Sequence, residues 1–371
     1  MDAAAQYLLV GTVAFGAVVL ATPVVGFLAR RAGAVAAPGE RHVHKVATPT
    51  LGGLALLAGV LAALGVASSQ PVFDEVFART TDPEAIVLAS LFVALLGALD
   101  DTRGMSAPAK LAGQIFSAGV LVLNGVTLRY MWAPWLDSTI VLGSNDQAVV
   151  TIIGVVAMMN AVNLIDGLDG LAAGVVAIAA GALLVYTLMA SELGDVPTAG
   201  PLFLVAILGV CLGFLVHNFN PASIFMGDTG SMLLGLLLGA AGVSAIGGSF
   251  QPPSGGAFAA FSVPVLIPVL VLAIPFIDTI STIVRRMVKG RAIFSPDKQH
   301  LHHRLLEIGH SHRRAVLIIY YWSALLAFAA VGVSLLEPAV LGAVLGAGVG
   351  LAALASITFR IRRRVRELRV R

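Results

Sequence analysis

The sequence predicts an all-α polytopic membrane protein, on three observations: 58% of its 371 residues are hydrophobic and only 12% are charged, its mean hydropathy is +0.94, and long apolar runs recur from end to end. Soluble domains carry about twice that share of charge. A helix needs roughly 20 apolar residues to cross about 30 Å of hydrocarbon, and about eleven segments can be marked on that basis. They lie near 6–28, 51–67, 84–99, 107–124, 147–163, 168–190, 200–216, 229–246, 261–284, 315–334 and 338–359. The first is too long for a signal-peptide core and follows Asp2 rather than basic residues, so it reads as a retained span. A single cysteine, Cys211, excludes an intramolecular disulfide and a cysteine-based metal site.

Basic residues near span ends stay in the cytoplasm, and under eleven spans they separate cleanly. Arg30, Arg31, Arg41 and Lys45 fall in the first connection, Arg103 and Lys110 in the third, Arg285 through Arg314 in the ninth, and Arg360 through Arg371 in the tail. Only Arg79 and Arg129 fall opposite, among Asp74, Glu75, Asp82, Glu84, Asp137, Asp146, Glu192 and Asp195. The N-terminus is therefore expected outside and the C-terminus in the cytoplasm, in the inner (plasma) membrane. One integral domain, 1–371, would carry a cytoplasmic His/Arg-rich loop at 285–314 and a basic tail at 360–371. The tail IRRRVRELRVR, next to a final span, reads as an anchor against anionic lipid rather than a nucleic-acid patch. Gly235 and Gly239, four apart, would let helices approach closely in lipid.

Acids and amides also gather at the cytoplasmic span ends, where unpaired carboxylates are costly and call for a reason. Asp100 and Asp101 end the third span in GALDDTRGMSAPAKLAGQ. Asn160, Asn163, Asp166 and Asp169 follow the fifth in NAVNLIDGLDGLAAG. Asn218, Asn220 and Asp228 follow the seventh in HNFNPASIFMGDTGSMLLG. Asp166 and Asp169 share a face if a helix already starts there, and Asp228 sits at a helical run flanked by Gly227 and Gly230. Helix N-termini suit phosphate, and oxygen-only ligands suit Mg²⁺ or Mn²⁺. Each Asp taken singly could instead be a helix cap or turn former, and Asp101 could simply be solvated. The ninth connection, RRMVKGRAIFSPDKQHLHHRLLEIGHSHRR, lacks the HExxH spacing of a helical zinc pair, so its histidines read as donors to a nucleotide diphosphate. Lys45, Lys110 and Arg286 complete the cationic set. Asp278, in IPFIDTIST, is the one acid placed within a span.

Taken together, HKVATPTLGG, ALDDTRGMSAPAKLAGQ, NAVNLIDGLDGLAAG, FNPASIFMGDTGSMLLG and the late His-rich loop resemble the polyprenyl-phosphate N-acetylhexosamine-1-phosphate transferases over nearly the whole chain. HLHHRLLEIGHSHRRAV is similar to the WecA/TagO-type branch rather than to the related MraY translocases, and the run PDKQHLHHRLLEIGHSHRR to actinobacterial members. Ala37, Pro38, Arg41 and His42 depart from the first-loop pattern of many members. The resemblance implies an eleven-span bundle with a cytoplasm-facing cleft, with a homodimer as a candidate assembly. It further implies transfer of GlcNAc-1-phosphate from UDP-GlcNAc to a polyprenyl phosphate, decaprenyl or undecaprenyl, with release of UMP. In that scheme Asp228 is the metal ligand. Asp100, with Asp101 as partner, handles the proton of the lipid phosphate, and Asp166 and Asp169 orient metal and nucleotide with Asn160 and Asn218. Lys45, Lys110, Arg286, His300, His302 and His303 hold phosphates. The alternatives are a phospho-MurNAc-pentapeptide or other UDP-N-acetylhexosamine transferase and, outside enzymes, a secondary transporter, whose acids should lie near midplane. Paired DxxxD motifs of prenyltransferases are missing, and NLIDGLDGLAAG lacks the arginine of CDP-alcohol phosphotransferases.

Overall fold

The computed structural model describes residues 2–36, 47–133, 138–190, 198–247, 311–337 and 339–352. In chain order these form α1 (Ala3–Arg31), β1 (Val35–Ala36), β2 (Thr48–Pro49), α2 (Gly53–Ala67), α3 (Asp74–Arg79), α4 (Asp82–Arg103), α5 (Ala107–Leu123), β3 (Tyr130–Ala133), β4 (Ser138–Val141), α6 (Ser144–Ile165), α7 (Leu171–Ala190), α8 (Gly200–Asn218), α9 (Gly227–Gly247), α10 (His312–Leu335) and α11 (Ala339–Ala352).

Helix α9 is the axis of the bundle. Its sequence after Asp228, TGSMLLGLLLGAAG, is apolar or small on every side, the pattern of a helix buried all round, and Met232 through Leu234, Leu236 through Leu238, Ala240 and Ala241 are fully buried. Neighbouring helices reach its backbone through glycine. A Cβ on Gly53 of α2 would stand 2.2 Å from Gly230 N, one on Gly97 of α4 would stand 2.4 Å from Thr229 Cα, and one on Gly235 would stand 2.5 Å from Met159 Cα of α6. Gly239 faces Met158 and Val155 on the same helix, so the Gly235/Gly239 spacing does serve close packing, here of α9 on α6. Helix α8 packs on α9, α7 and α1, with Gly209 against the Gly11 carbonyl and Gly213 against the Phe15 carbonyl. Helix α10 packs on α7, where Gly174 leaves room for the Tyr320 ring.

Among the described residues, seven helices are long and apolar enough to cross a membrane, or eight if α2 and the bent segment Pro71–Arg79 beyond it make one span. The apolar helices α5 and α11 are shorter. Ten of the eleven segments marked in the sequence each coincide with a helix, and 261–284 lies outside the described residues. At 15 residues α2 spans about 22 Å, less than a hydrocarbon core, and the chain then turns by 96°, where Gln6 of α1 accepts the Val72 N–H at 3.0 Å.

Alternation sorts the helix ends into two faces. The C-terminal ends of α4, α6 and α8 share one face with the N-terminal ends of α5, α7, α9 and α10. The opposite face holds the antiparallel β3–β4 hairpin, Tyr130 paired with Val141, which the apolar-run reading does not predict. It also holds the bond from Ser244 near the end of α9 to Asp82 at the start of α4. Thus α9 ends on one face and α10 begins on the other.

Candidate active site

Gly104, at φ +69°, stops α4 directly after LDDTR, and adjacent helical residues point about 100° apart, so Asp100 and Asp101 meet different neighbours. Asp101 turns inward to the start of α9. Its Oδ1 accepts the Asp228 N–H at 2.8 Å, and its Oδ2 accepts the Thr229 N–H at 3.1 Å and the Thr229 hydroxyl at 2.6 Å. The first turn of α9 has free N–H groups that need acceptors, and here a side chain from another helix supplies them. Gly227, at φ +71°, permits this approach, since a Cβ there would lie 2.4 Å from Asp101 Oδ2. The alternative that Asp101 is simply solvated does not hold: its carboxylate accepts from the first turn of α9.

Asp100 points to α5. Its Oδ1 accepts the Met105 N–H at 2.7 Å, and its Oδ2 lies 2.6 Å from Lys110 Nζ. Lys110 stands in the first turn of α5, started by the Ser106 cap. Its ammonium also bonds Asp228 Oδ2, while Asp228 Oδ1 accepts from Asn163 Nδ2 of α6. Asn163 donates as well to Ser231 Oγ at 2.9 Å, and Ser231 to the Gly227 carbonyl at 3.0 Å. Asp100, Lys110, Asn163 and Asp228, remote in sequence, form one bonded cluster from four helices.

The second acidic motif is arranged otherwise than its spacing suggests. Asp166 caps the C-terminus of α6 and α7 begins only at Leu171, so Asp166 and Asp169 lie in a turn rather than on one helical face. Asp166 is half-buried, and its carboxyl has no hydrogen-bond or ion-pair partner among the described residues. Burial first, then the negative charges of Asp228, Asp101 and Asp169, push its pKa up to about 7. Asp169 is buried and holds the α8–α9 connection: its Oδ2 accepts from Asn220 Nδ2 at 2.9 Å and from the Ala222 N–H at 3.0 Å.

Asn218 is buried beneath them, accepting the Gly170 N–H at 3.0 Å and donating to the Ile224 carbonyl at 2.9 Å. Asn160 pairs with Gln114 of α5 at 2.8 Å and donates to the Val156 carbonyl. Both amides, expected to orient metal and nucleotide, have hydrogen-bond partners inside the protein that tie one piece of scaffold to another.

The TPTLGG segment is stitched to the segment entering α9. Gly52 and Gly53 N–H groups donate to the Phe225 and Met226 carbonyls at 3.0 Å, and Phe225 N–H to the Pro49 carbonyl at 2.8 Å. Lys45 precedes this segment but lies outside the described residues, as do Arg286, His300, His302, His303, Asp278 and the tail. The His-rich connection is shorter than expected at its C-terminal end, because α10 already begins at His312. From there Arg313 Nε donates to the Asn220 carbonyl at 2.7 Å and the Tyr320 hydroxyl to the Gly170 carbonyl, so α10 holds both loops beside the cluster. Sequence reading set Asn163 among the acids without assigning it a role. It gave Gln114, Ser231 and Arg313 no role at the site, although Arg313 was counted among the basic residues of the ninth connection.

Carboxylates that converge with one lysine and free backbone ends can hold a hard cation and phosphates. Among the described residues no three His, Cys, Asp or Glu side chains converge closely enough to hold an ion alone; Asp100, Asp166 and Asp228 would share one with outside oxygen ligands.

Residues 84–246 match glycosyl transferase family 4. Over 96% of its length the chain is 44% identical to a decaprenyl-phosphate N-acetylglucosaminephosphotransferase of Mycobacterium leprae, covering 91% of that protein. It is 35% identical over 82% of its length to a probable undecaprenyl-phosphate N-acetylglucosaminyl 1-phosphate transferase of Bacillus subtilis, covering 78% of it. A phospho-N-acetylmuramoyl-pentapeptide-transferase of Anoxybacillus flavithermus is 32% identical over 70% of this chain and is covered to 76%. The matched segment contains the whole bonded cluster and the similarity extends over nearly the full chain: this protein belongs to glycosyl transferase family 4.

Proposed function

We infer that the protein transfers GlcNAc-1-phosphate from UDP-GlcNAc to a polyprenyl phosphate, of decaprenyl type by its actinobacterial relatives, at the cytoplasmic face of the plasma membrane. The observation that carries this reading is the Lys110 ammonium bridging Asp100 and Asp228, since it gathers a cation and two carboxylates from two separate motifs and three helices at one point. The chemistry is displacement at phosphorus: an oxygen of the lipid phosphate bonds to the sugar-bearing phosphorus of the donor, the bond from that phosphorus to UMP breaks, and a pyrophosphate-linked sugar lipid remains. Such transfers depend on positioning and charge stabilisation.

The donor set fits Mg²⁺ or Mn²⁺. It is oxygen-only, it leaves the Asp166 carboxyl without a partner in a negative field, and it offers too few carboxylates for a closed cage, as suits an ion that keeps water and substrate phosphates in its shell. When bound, the ion would neutralise charge on the phosphates. Asp228 would hold it together with Asp100, with the Asp166 carboxyl beside them; Asp100 would also orient the proton of the lipid phosphate, and Lys110 would meet phosphate oxygens. Asp101, Asp169, Asn160, Asn163 and Asn218 keep those groups in place. Relatives named for the phospho-MurNAc-pentapeptide reaction match at lower identity and over less of the chain, which favours the GlcNAc donor. Similarity to enzymes over nearly the full length leaves the transporter reading without support.

The test is UMP release by detergent-purified protein given decaprenyl phosphate, Mg²⁺ and a panel of UDP-sugars. Release with UDP-GlcNAc alone, together with a lipid-linked product, is expected. Release only with another UDP-sugar would change the donor, and full activity in EDTA would defeat the metal assignment.

A further inference from the structure

We infer that Lys110 and a divalent cation are alternative occupants of one carboxylate pair, Asp100 and Asp228, so that loading the ion releases the Lys110 ammonium toward a phosphate. This rests on the metal-dependent reading above and adds an order of events to it.

Each carboxylate of the pair has one oxygen fixed to the scaffold and one given to the lysine. Asp100 Oδ1 is held by the Met105 N–H and its Oδ2 by Lys110; Asp228 Oδ1 is held by Asn163 and its Oδ2 by Lys110. The two oxygens that converge on a common point are therefore the two that the ammonium occupies. A hard cation seeks that same point, and an ammonium and a divalent ion a few ångströms apart repel strongly even at an effective dielectric of about 20.

The arrangement allows exchange. The scaffold bonds to Met105 and Asn163 do not involve the lysine, so both carboxylates stay aimed when it leaves. Lys110 has a flexible four-carbon stem, and its side chain is 21% exposed, which gives the ammonium a way out. One ammonium also leaves the pair with excess negative charge, and the Asp166 carboxyl beside it has no partner among the described residues. A divalent ion matches that charge better than a lysine does. The freed ammonium would then stand beside the ion as a phosphate ligand, so that the ion loads before the phosphates do.

Lys110 is one of four lysines in the chain, so its reactivity can be followed by acetic anhydride labelling and mass spectrometry of the wild-type protein, without substrate, with and without Mg²⁺. Release predicts a severalfold rise in Lys110 acetylation on adding Mg²⁺. Unchanged or reduced labelling would overturn exchange, and this arm needs no variant to fold. In parallel, Mn²⁺ affinity is measured by electron paramagnetic resonance in wild type, Lys110→Met and Lys110→Arg. The competitor's removal should tighten Mn²⁺ binding at least about tenfold in Lys110→Met, with Lys110→Arg close to wild type. Weaker binding in Lys110→Met would make the lysine an organiser of the site and refute competition. Wild type that takes up no Mn²⁺ would remove the metal reading itself, and the exchange with it, an outcome distinct from the others.

Discussion

Asp100 and Asp101 are neighbours on one helix, yet their bonds give them different work, and single substitutions should separate the two. Asp101→Ala leaves the Asp228 and Thr229 N–H groups and the Thr229 hydroxyl without their acceptor, and a buried unsatisfied donor costs about 1–3 kcal/mol. A clear loss of thermal stability in detergent is expected, smaller in Asp101→Asn, which keeps one acceptor oxygen. Asp100→Asn should melt close to wild type and lose turnover, so the ratio of melting shift to activity loss distinguishes the pair. Asp166 carries a pH prediction. Its pKa in the folded protein, about 7, lies above the ordinary carboxylate value of 3.8, so its contribution to stability is complete below about pH 4 and is lost as pH rises toward 7. At about 1.4 kcal/mol per unit the ceiling is roughly 4 kcal/mol. In EDTA, wild type should lose melting temperature between about pH 4 and 7 relative to Asp166→Asn; parallel curves would refute the shift. The sequence made these acids visible because charge at a span end is conspicuous. It could not tell cap from reactive group, since that depends on what faces each carboxylate across the bundle.

At the scale of elements, hydropathy located the helices well because each must satisfy its own backbone in lipid. Glycine decided how they meet. Gly53→Ala or Gly97→Ala would push a methyl into the backbone of α9 at Thr229 and Gly230, beside the residues that Asp101 caps, and overpacking of this kind costs about 1–3 kcal/mol. Gly65 on the same helix as Gly53 has nothing within 4 Å of an added Cβ, so Gly65→Ala should be neutral or slightly stabilising by its better helix propensity. Equal melting shifts for Gly53→Ala and Gly65→Ala would show that α2 does not meet α9 as described. The β3–β4 hairpin was not legible, since its short strands carry neither a span-length apolar run nor a two-residue Asn-Gly or Asp-Gly turn.

For the whole molecule, the bonded cluster and the described basic residues Arg30, Arg31, Arg103 and Arg313 belong to one face, which the positive-inside rule predicts to be cytoplasmic. In a Cys211→Ala background, Thr102→Cys at the site face should react with a membrane-impermeant maleimide only after cells are opened. Ser69→Cys, at the far end of α2, should react on intact cells. The reverse pattern would invert the orientation and place the proposed UDP-sugar site on the wrong side for its donor.

The sequence by itself determined the class, a helical membrane protein, together with the helix positions and the set of acids from which the site is built. These follow from local physics: an apolar run of sufficient length must be a helix in lipid, and a carboxylate kept at its end must have a function or a partner. Only the tertiary structure decided which acids face one another, because partners such as Lys110 and Asp228, or Asp101 and Thr229, lie more than a hundred residues apart and meet through glycine contacts that no local pattern encodes. Among the described residues, that packing gives Asp101, Asp169, Asn160 and Asn218 partners within the protein and brings Asp100, Asp166, Asp228 and Lys110 into one charged group.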